Sequence, residues 1–263
     1  MKKPIECISG GLTLRGMLHL PDNRTENIPL VIMCHGLAGV KTEARFLFAS
    51  LSKQLEQEGV GSVRFDFRGN GESDGQFIDM TIGTLIEDII NIRNFVKTLS
   101  NVDQQNVHLL GYSQGGLSAA IAAPQIKNQL KSLTLWAPAA VLTEEVHQGM
   151  FAGVAFNKDN LPEYIDVKGL KLGRSYLEEA LKIDAYEYSK GFDKPVLIVH
   201  GTKDAAVPYE YGIRYKDEVY TAEQLTFVTV EGSSHTFEIP EYRKQLLDAT
   251  TAFISSQAKR QEI

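Results

Sequence analysis

Two kinds of hydrophobic spacing alternate along most of the chain. Short, largely apolar runs are typical of strands buried on both faces of a parallel sheet, and an apolar residue every three or four positions is typical of a helix. The apolar runs are Leu30–Cys34, Val60–Phe65, Val107–Leu110, Leu133–Trp136, Val196–Val199 and Leu225–Val230. The helical segments are Glu43–Glu58, Leu85–Leu99, Gln114–Ala123, Tyr209–Tyr220 and Tyr242–Ala258. This alternation predicts an α/β fold with a mostly parallel central sheet flanked by helices.

The start of the chain follows a different pattern. Apolar and polar residues alternate over Ile5–Ile8 and Leu12–Leu20, on either side of Gly10 and Gly11. Alternation with a period of two, interrupted by glycines, predicts an antiparallel hairpin.

One interval interrupts the succession of strands and helices. No clear strand is predicted between Trp136 and Lys194, although the interval holds seven aromatic residues: Phe151, Phe156, Tyr164, Tyr176, Tyr186, Tyr188 and Phe192. A structureless loop of this length is improbable in a compact domain. We therefore predict one α/β core formed by residues 1–137 and 193–263, with a small inserted cap over residues 138–192. The aromatic residues either line a binding pocket or only pack a small core within the cap.

Composition and charge narrow the classes of partner. The 263 residues are 43% hydrophobic and 23% charged, with a net charge of −6 and a pI near 5.6. A protein with a net negative charge binds nucleic acid and anionic membrane surfaces poorly, so we expect neither as a partner. No stretch approaches the ~20 apolar residues of a membrane span, and Pro4–Gly11 lacks the apolar core of a signal peptide.

Cysteine and histidine usage points away from disulfides and metals. Cys7 and Cys34 lie in apolar, strand-like segments, which indicates small buried side chains rather than a disulfide. Neither forms a cluster of metal-ligand spacing with the six scattered histidines. We expect a cytoplasmic protein without metal or other cofactor, and the sequence leaves open whether it forms a homodimer.

The most informative motif is Gly111-Tyr112-Ser113-Gln114-Gly115. The apolar run Val107–Leu110 precedes it, and a helical segment rich in glycine and alanine follows it. In this context Gly-x-Ser-x-Gly predicts a nucleophile elbow, a sharp strand-to-helix turn that presents a serine hydroxyl at the end of a sheet. The two glycines are needed because strand and helix approach too closely there for side chains.

A serine nucleophile needs a base to take its proton and a carboxylate to orient that base. His235 follows the last predicted strand, and Asp204 follows the strand Val196–Val199. The order serine, aspartate, histidine is that of the α/β hydrolases. We therefore predict Ser113, Asp204 and His235 as catalytic residues.

Ester hydrolysis also needs backbone donors for the developing oxyanion. The amide after the nucleophile, that of Gln114, is the first predicted donor. The loop after Leu30–Cys34 contains His35, Gly36 and Leu37, and the Leu37 amide is the second predicted donor.

Other polar residues favour structural roles. Asp66 ends a predicted strand and is the main rival acid, but it precedes Ser113, and the adjacent Arg68 indicates a structural ion pair. The glycines in the segment 69–75 superficially match a phosphate-binding loop, yet no lysine follows, and Glu72 and Asp74 would repel phosphate. A tight structural turn is the better interpretation.

Several of these motifs together resemble the α/β-hydrolase superfamily, and the resemblance covers essentially the whole chain. They are His35-Gly36-Leu37, the turn Asp66–Ser73, the serine elbow, His200–Asp204 and Gly232–His235. Within the superfamily, the elbow, the segment Ala137–Ala140 and the cap segment Gly173–Leu177 resemble bacterial cinnamoyl (feruloyl) esterases. In that family polar side chains of the cap hold the phenolic end of a hydroxycinnamoyl group. The resemblance implies Glu145 and Tyr176 as substrate-binding residues.

The sequence therefore predicts a serine carboxylesterase whose partner is a small-molecule ester, with hydroxycinnamoyl esters as the expected substrates. The same three catalytic residues would also serve a monoacylglycerol-type lipase, a thioesterase or a peptidase. A non-catalytic receptor for a small ligand is a further alternative, because a fold alone does not determine function.

Overall fold

A computed structural model of the chain describes residues 1–22 and 26–259. The strands are β1 (Lys2–Ser9), β2 (Leu12–His19), β3 (Ile28–Cys34), β4 (Gly61–Phe65), β5 (Val102–Tyr112), β6 (Ser132–Trp136), β7 (Met150–Phe151), β8 (Val154–Ala155), β9 (Tyr164–Val167), β10 (Leu170–Gly173), β11 (Val196–Gly201) and β12 (Leu225–Val230). The α-helices are α1 (Leu47–Gln57), α2 (Ile82–Val96), α3 (Gln114–Gln125), α4 (Val141–His147), α5 (Arg174–Ala180), α6 (Ala185–Tyr188), α7 (Tyr209–Glu218) and α8 (Pro240–Lys259).

The central sheet has the predicted mixed character. In the described residues its strand order is β1-β2-β4-β3-β5-β6-β11-β12. β1 pairs antiparallel with β2, and β2 pairs antiparallel with β4. All the other neighbouring strands are parallel. The initial hairpin, the mostly parallel sheet and the α/β-hydrolase fold class are thus confirmed.

The apolar runs are continuous because the sheet is covered on both faces. Every residue of β3 is buried. Leu30 and Ile32 belong to the hydrophobic cluster that includes residues of α2 and α3, whereas Val31 and Met33 belong to the cluster that includes residues of α1 and α8. Successive side chains of a strand point to opposite faces. Because both faces of this strand are buried, neighbouring positions along it must all be apolar.

Residues between β6 and β11 do contain strands, contrary to the expectation from sequence. Two small hairpins are present, β7–β8 and β9–β10, in addition to α4, α5 and α6. Strands of two to four residues are too short to show a period of two, which explains why the pattern missed them. The boundaries of the cap at residues 138 and 192 stay a prediction.

The aromatic residues of this interval do not form a core of their own. Phe151, Tyr176, Tyr186 and Phe192 are buried in the same cluster as α2 and α3. The interval is therefore anchored to the sheet's helical layer, while Tyr188 is 53% exposed. Within the described ranges, no helix has the length and apolar character needed to cross a membrane.

Candidate active site

Ser113 occupies a sharp turn between β5 and α3. Its backbone has φ 56° and ψ −120°, which is a strained conformation for a residue other than glycine. A Cβ atom at Gly111 would lie 2.2 Å from Gly115 O, and one at Gly115 would lie 2.2 Å from Cys34 O. Both distances are far below van der Waals contact, so only glycine fits at either position, as the elbow motif predicts.

Three predicted residues lie in one chain of hydrogen bonds. His235 Nε2 is 3.0 Å from Ser113 Oγ, and His235 Nδ1 is 2.7 Å from Asp204 Oδ2. In the neutral tautomer with hydrogen on Nδ1, the imidazole donates to the carboxylate and accepts the serine hydroxyl proton at Nε2. The side chain of Asp204 is fully buried, and that of His235 is 17% exposed.

The loop after β11 holds Asp204 in one orientation. Asp204 Oδ1 accepts the backbone amides of Ala206 and Val207 at 3.0 and 2.8 Å. His200 Nε2 lies 3.4 Å from Asp204 Oδ2 and 2.8 Å from Val207 O. Burial alone would raise the pKa of Asp204, but hydrogen bonds from His200 and His235 outweigh it and lower the pKa to about 2. The carboxylate is therefore ionised at neutral pH.

Tyr112, the residue before the serine, contacts both the backbone and the ring of His235. Its hydroxyl donates to His235 O at 3.0 Å, and the two rings stack with centroids 5.0 Å apart. After the histidine, Glu238 accepts hydrogen bonds from the hydroxyls of Ser234 and Thr236. The imidazole is thus fixed both by its ring and by its loop.

The loop after β3 lies directly against the serine. A Cβ atom at Gly36 would lie 3.2 Å from Ser113 Cβ. The Gly36 amide donates to Glu43 Oε1 at 2.6 Å, and Gly36 O accepts from His35 Nδ1 at 2.9 Å and from the Gly39 amide at 3.0 Å. The next residue, Leu37, lines the cavity in front of Ser113.

A cavity of about 700 Å³ opens above Ser113 and His235. Most of its wall is apolar. Its charged lining side chains, within the described residues, are those of Glu145 and Lys168, apart from His235 at the base. The interval between β6 and β11 contributes the β7–β8 turn (Ala152, Gly153) and the end of the β9–β10 hairpin (Val167, Lys168, Leu170). The loop after β11 contributes Ala205, Ala206 and Val207.

The two residues implied by resemblance lie in different places. Glu145 lines the cavity, and its Oε2 accepts the Ala152 amide at 2.8 Å. Tyr176 is fully buried, and its hydroxyl accepts a hydrogen bond from Gln114 Nε2 at 3.0 Å. The described lining of the cavity does not include Tyr176. A direct contact between Tyr176 and substrate stays a prediction.

The rival acid Asp66 has a structural set of partners, but not the one expected. Lys41 binds its carboxylate through both Nζ and the backbone amide, each at 2.6 Å. Arg68 binds Asp88 instead, through Nε at 2.8 Å. The expected Asp66–Arg68 ion pair was wrong, because Lys41 binds the Asp66 carboxylate while the Arg68 guanidinium binds Asp88 and Glu87.

Sequence reasoning missed two residues beside the predicted site. Glu43 holds the Gly36 amide, and Lys168 lines the cavity. No motif marks a lone glutamate in a loop. The Lys168-Gly169 pair, with φ values of 53° and 91°, is a hairpin turn signal that a search for short strands could have used.

Comparisons with known proteins agree with the fold. A family model described as alpha/beta hydrolase fold matches residues 29–168. Est1E from Butyrivibrio proteoclasticus, in a structure with ferulic acid bound, is similar with a TM-score of 0.90 and 31% identity, over 97% of this chain and 100% of that chain. An uncharacterised 31.7 kDa protein of Escherichia coli is 25% identical over 259 residues, which are 96% of this chain and 87% of that protein. The mitochondrial palmitoyl-protein thioesterase ABHD10 of Mus musculus is 27% identical over 185 residues, which are 66% of this chain and 59% of that protein.

Proposed function

We propose that this chain, which belongs to the α/β-hydrolase family, is a serine esterase with Ser113 as nucleophile, His235 as base and Asp204 as the orienting acid. The observation that carries the proposal is the hydrogen-bonded chain from Ser113 Oγ through the imidazole to the buried Asp204 carboxylate, at the base of a largely apolar cavity. A serine in a strained turn, bonded to an oriented histidine, is the arrangement that acyl transfer requires.

The reaction follows from this geometry. Ser113 Oγ attacks the ester carbonyl carbon while its proton passes to His235 Nε2, and the carbonyl oxygen becomes an oxyanion. The Asp204 carboxylate stabilises the imidazolium, and the amides of Leu37 and Gln114 stabilise the oxyanion. His235 then protonates the departing alkoxide, and the acyl group stays bound to Ser113 as an ester. Water, deprotonated by His235, then attacks the carbonyl carbon of that ester. The bond to Ser113 Oγ breaks as His235 returns the proton to that oxygen, which releases the free acid and restores the enzyme.

The proposed substrate class is esters of small aromatic acids, with hydroxycinnamoyl esters first among them. The 31% identity with Est1E, whose structure holds ferulic acid, supports this class. The cavity adds a second support, because its wall is mostly apolar and Glu145 supplies an acceptor for a phenolic hydroxyl. In this proposal residues 1–137 and 193–263 carry the chemistry, and residues 138–192 form a cap that selects the acyl group. Cys7 and Cys34 are buried and free, which supports a cytoplasmic location.

A panel of substrates tests the proposal. Methyl ferulate, methyl p-coumarate and nitrophenyl esters of increasing chain length should be hydrolysed, and a serine-directed organophosphonate should label Ser113 and abolish the activity. EDTA should leave the rate unchanged. Loss of activity in EDTA that zinc restores would contradict the serine mechanism.

A thioesterase is the second candidate, because ABHD10 is a similar protein of that activity. A thioester would use the same acyl-serine pathway with a thiolate as leaving group. Comparing kcat/KM for feruloyl and palmitoyl thioesters with that for the corresponding oxygen esters separates the two functions.

A further inference from the structure

The loop between β3 and α1 concentrates backbone strain. Four residues other than glycine have positive φ there: Ala38 (54°), Glu43 (58°), Arg45 (50°) and Phe46 (63°). Glu43 combines its φ with ψ 170°, a region that is essentially restricted to glycine. Such a conformation persists only when the surrounding contacts enforce it. The contacts of the Glu43 side chain therefore indicate what the strain maintains.

The Glu43 carboxylate is buried and bonded to backbone amides. The residue is 8% exposed. Its Oε1 accepts the Gly36 amide at 2.6 Å, and its Oε2 accepts the Ala44 amide at 2.9 Å. Among the described residues, no lysine or arginine forms an ion pair with it. A buried carboxylate without a cation is costly unless its hydrogen bonds compensate, so the two amides are its main stabilising partners.

These contacts determine the orientation of the peptide between Gly36 and Leu37. Glu43 holds the Gly36 amide on one side of the glycine, while His35 Nδ1 and the Gly39 amide donate to Gly36 O on the other. In a planar trans peptide the N–H points opposite to the C=O. The Leu37 N–H therefore has one fixed direction, and two hydrogen bonds to Gly36 O polarise the same peptide and make that N–H a stronger donor.

We propose that Glu43 is a positioning residue for the oxyanion hole: its carboxylate holds the Gly36 amide so that the Leu37 amide is aligned with the oxygen of the tetrahedral intermediate. The inference rests on the proposed function, since it assigns a role at the same Ser113 site. Glu43 need not touch substrate. Its contribution appears only when negative charge develops on the carbonyl oxygen.

Three variants of Glu43 test this role with nitrophenyl acetate. Glu43→Ala should lower kcat by about 10- to 100-fold while KM changes less than about twofold. A misaligned donor stabilises the transition state less well but does not affect substrate binding. Glu43→Gln keeps one amide-accepting oxygen and should fall between Glu43→Ala and the wild type. Inhibition by phenylboronic acid, which forms a tetrahedral serine adduct, should weaken by the same factor as kcat/KM.

Glu43→Gly separates the effect of losing the carboxylate from the effect of backbone strain at this position. Glycine adopts the Glu43 backbone angles without penalty, so Glu43→Gly should melt about 2–4 °C above Glu43→Ala. Both variants lack the carboxylate and should be equally slow. Recovery of wild-type kcat in Glu43→Gly would overturn the inference, because the carboxylate would then have no role in the rate.

Asp184 provides a matched control. Its carboxylate also accepts two backbone amides, at 3.0 Å each, but at the start of α6. Asp184→Ala should lower the melting temperature without changing kcat or the boronic acid affinity. Equal losses of kcat in Asp184→Ala and Glu43→Ala would show a general stability effect and overturn the inference.

Ser113→Ala distinguishes failure of the inference from failure of the proposed function. If Ser113→Ala abolishes hydrolysis while Glu43→Ala and Glu43→Gln keep wild-type kcat, the positioning role is wrong and the esterase assignment stands. If Ser113→Ala keeps its activity, the proposed function itself fails. If Glu43→Ala does not fold, Glu43→Gln decides, and a kcat within about twofold of wild type overturns the role.

Discussion

Ser113 and its two partners each have a contact that a bystander residue would lack. The strained backbone of Ser113 brings its hydroxyl within 3.0 Å of His235, and the imidazole reaches Asp204 at 2.7 Å. We therefore expect Ser113→Ala and His235→Ala to be folded and inactive. Losing such a residue costs about 10⁴- to 10⁶-fold in kcat. Nitrophenyl acetate hydrolysis measures the loss and thermal melting checks the fold; retention of more than about a tenth of wild-type activity would contradict the mechanism.

Asp204 has a pKa of about 2, below its usual value near 3.8. A carboxyl group with a depressed pKa stabilises the fold above its unfolded pKa, and that stability is lost as the pH falls from there through the folded value. The carboxylate therefore stays ionised throughout the range in which an esterase is assayed. Asp204→Asn should lower kcat by about 10⁴-fold at every pH from about 5 to 9. A loss confined to one end of that range would mean that Asp204 acts by titrating rather than by orienting His235.

At the scale of elements, the junction of β5 and α3 depends on close backbone contact. A Cβ atom at Gly115 would lie 2.2 Å from Cys34 O and 2.3 Å from His35 O, whereas one at Gly116 meets Pro138 Cα at 3.0 Å. Gly115→Ala must displace β3 or α3 and should cost about 3 kcal/mol or more. Gly116→Ala is the matched control and should cost clearly less. Urea unfolding of both variants measures the difference, and equal stabilities would contradict the close junction.

Helix α4, in the proposed cap, carries the residue expected to select the acyl group. Glu145 lines the cavity, and a buried hydroxyl that loses its partner costs about 1–3 kcal/mol. Glu145→Ala, which removes the acceptor, should therefore lower kcat/KM for methyl p-coumarate by roughly tenfold, while nitrophenyl acetate, which does not extend that far, is nearly unaffected. An unchanged ratio of kcat/KM between the two substrates would contradict a binding site for the phenolic hydroxyl at Glu145. The esterase assignment would not be affected.

Tyr176→Phe tests the second residue implied by resemblance. Tyr176 is buried, is not among the described lining residues of the cavity, and accepts a hydrogen bond from the Gln114 side chain. The variant should therefore lower stability and slow both substrates to a similar extent. A selective loss of methyl p-coumarate hydrolysis would instead show that the cap rearranges and that Tyr176 reaches the substrate.

At the scale of the whole molecule, buried histidines make stability depend on pH. Burial lowers the pKa of His19, His35 and His108, in His108 to about 3. Below pH 6.5 an unfolded histidine takes up a proton and a buried one does not, so stability falls as the pH falls. For His108 this loss continues down to about pH 3 and amounts to about 2 kcal/mol between pH 7 and 5.

His108→Gln should reduce this dependence. Urea midpoints at pH 7 and 5 measure it, and the difference between the two pH values should shrink by about 2 kcal/mol in the variant. If the variant and the wild type showed the same difference, His108 would titrate normally in the folded protein.

Local patterns in the sequence determined the main-chain architecture. The strand β3 is apolar at every position because both faces of the sheet are covered, and that property can be recognised without a structure. The elbow glycines are required by contacts between adjacent elements, and parallel strands end at the same edge of the sheet. For this reason the positions of Asp204 and His235 after β11 and β12 could be predicted from chain order alone.

Tertiary packing decided the partners of individual side chains. Asp66 binds Lys41 and not Arg68, Tyr176 turns toward Gln114, and Glu43 reaches back to Gly36. Each of these contacts joins residues that are distant along the chain or placed by an irregular loop, and several polar neighbours compete for each side chain. Hydrophobic periodicity determines which face of an element is buried, but a buried polar group takes whichever partner the folded geometry brings within hydrogen-bond distance.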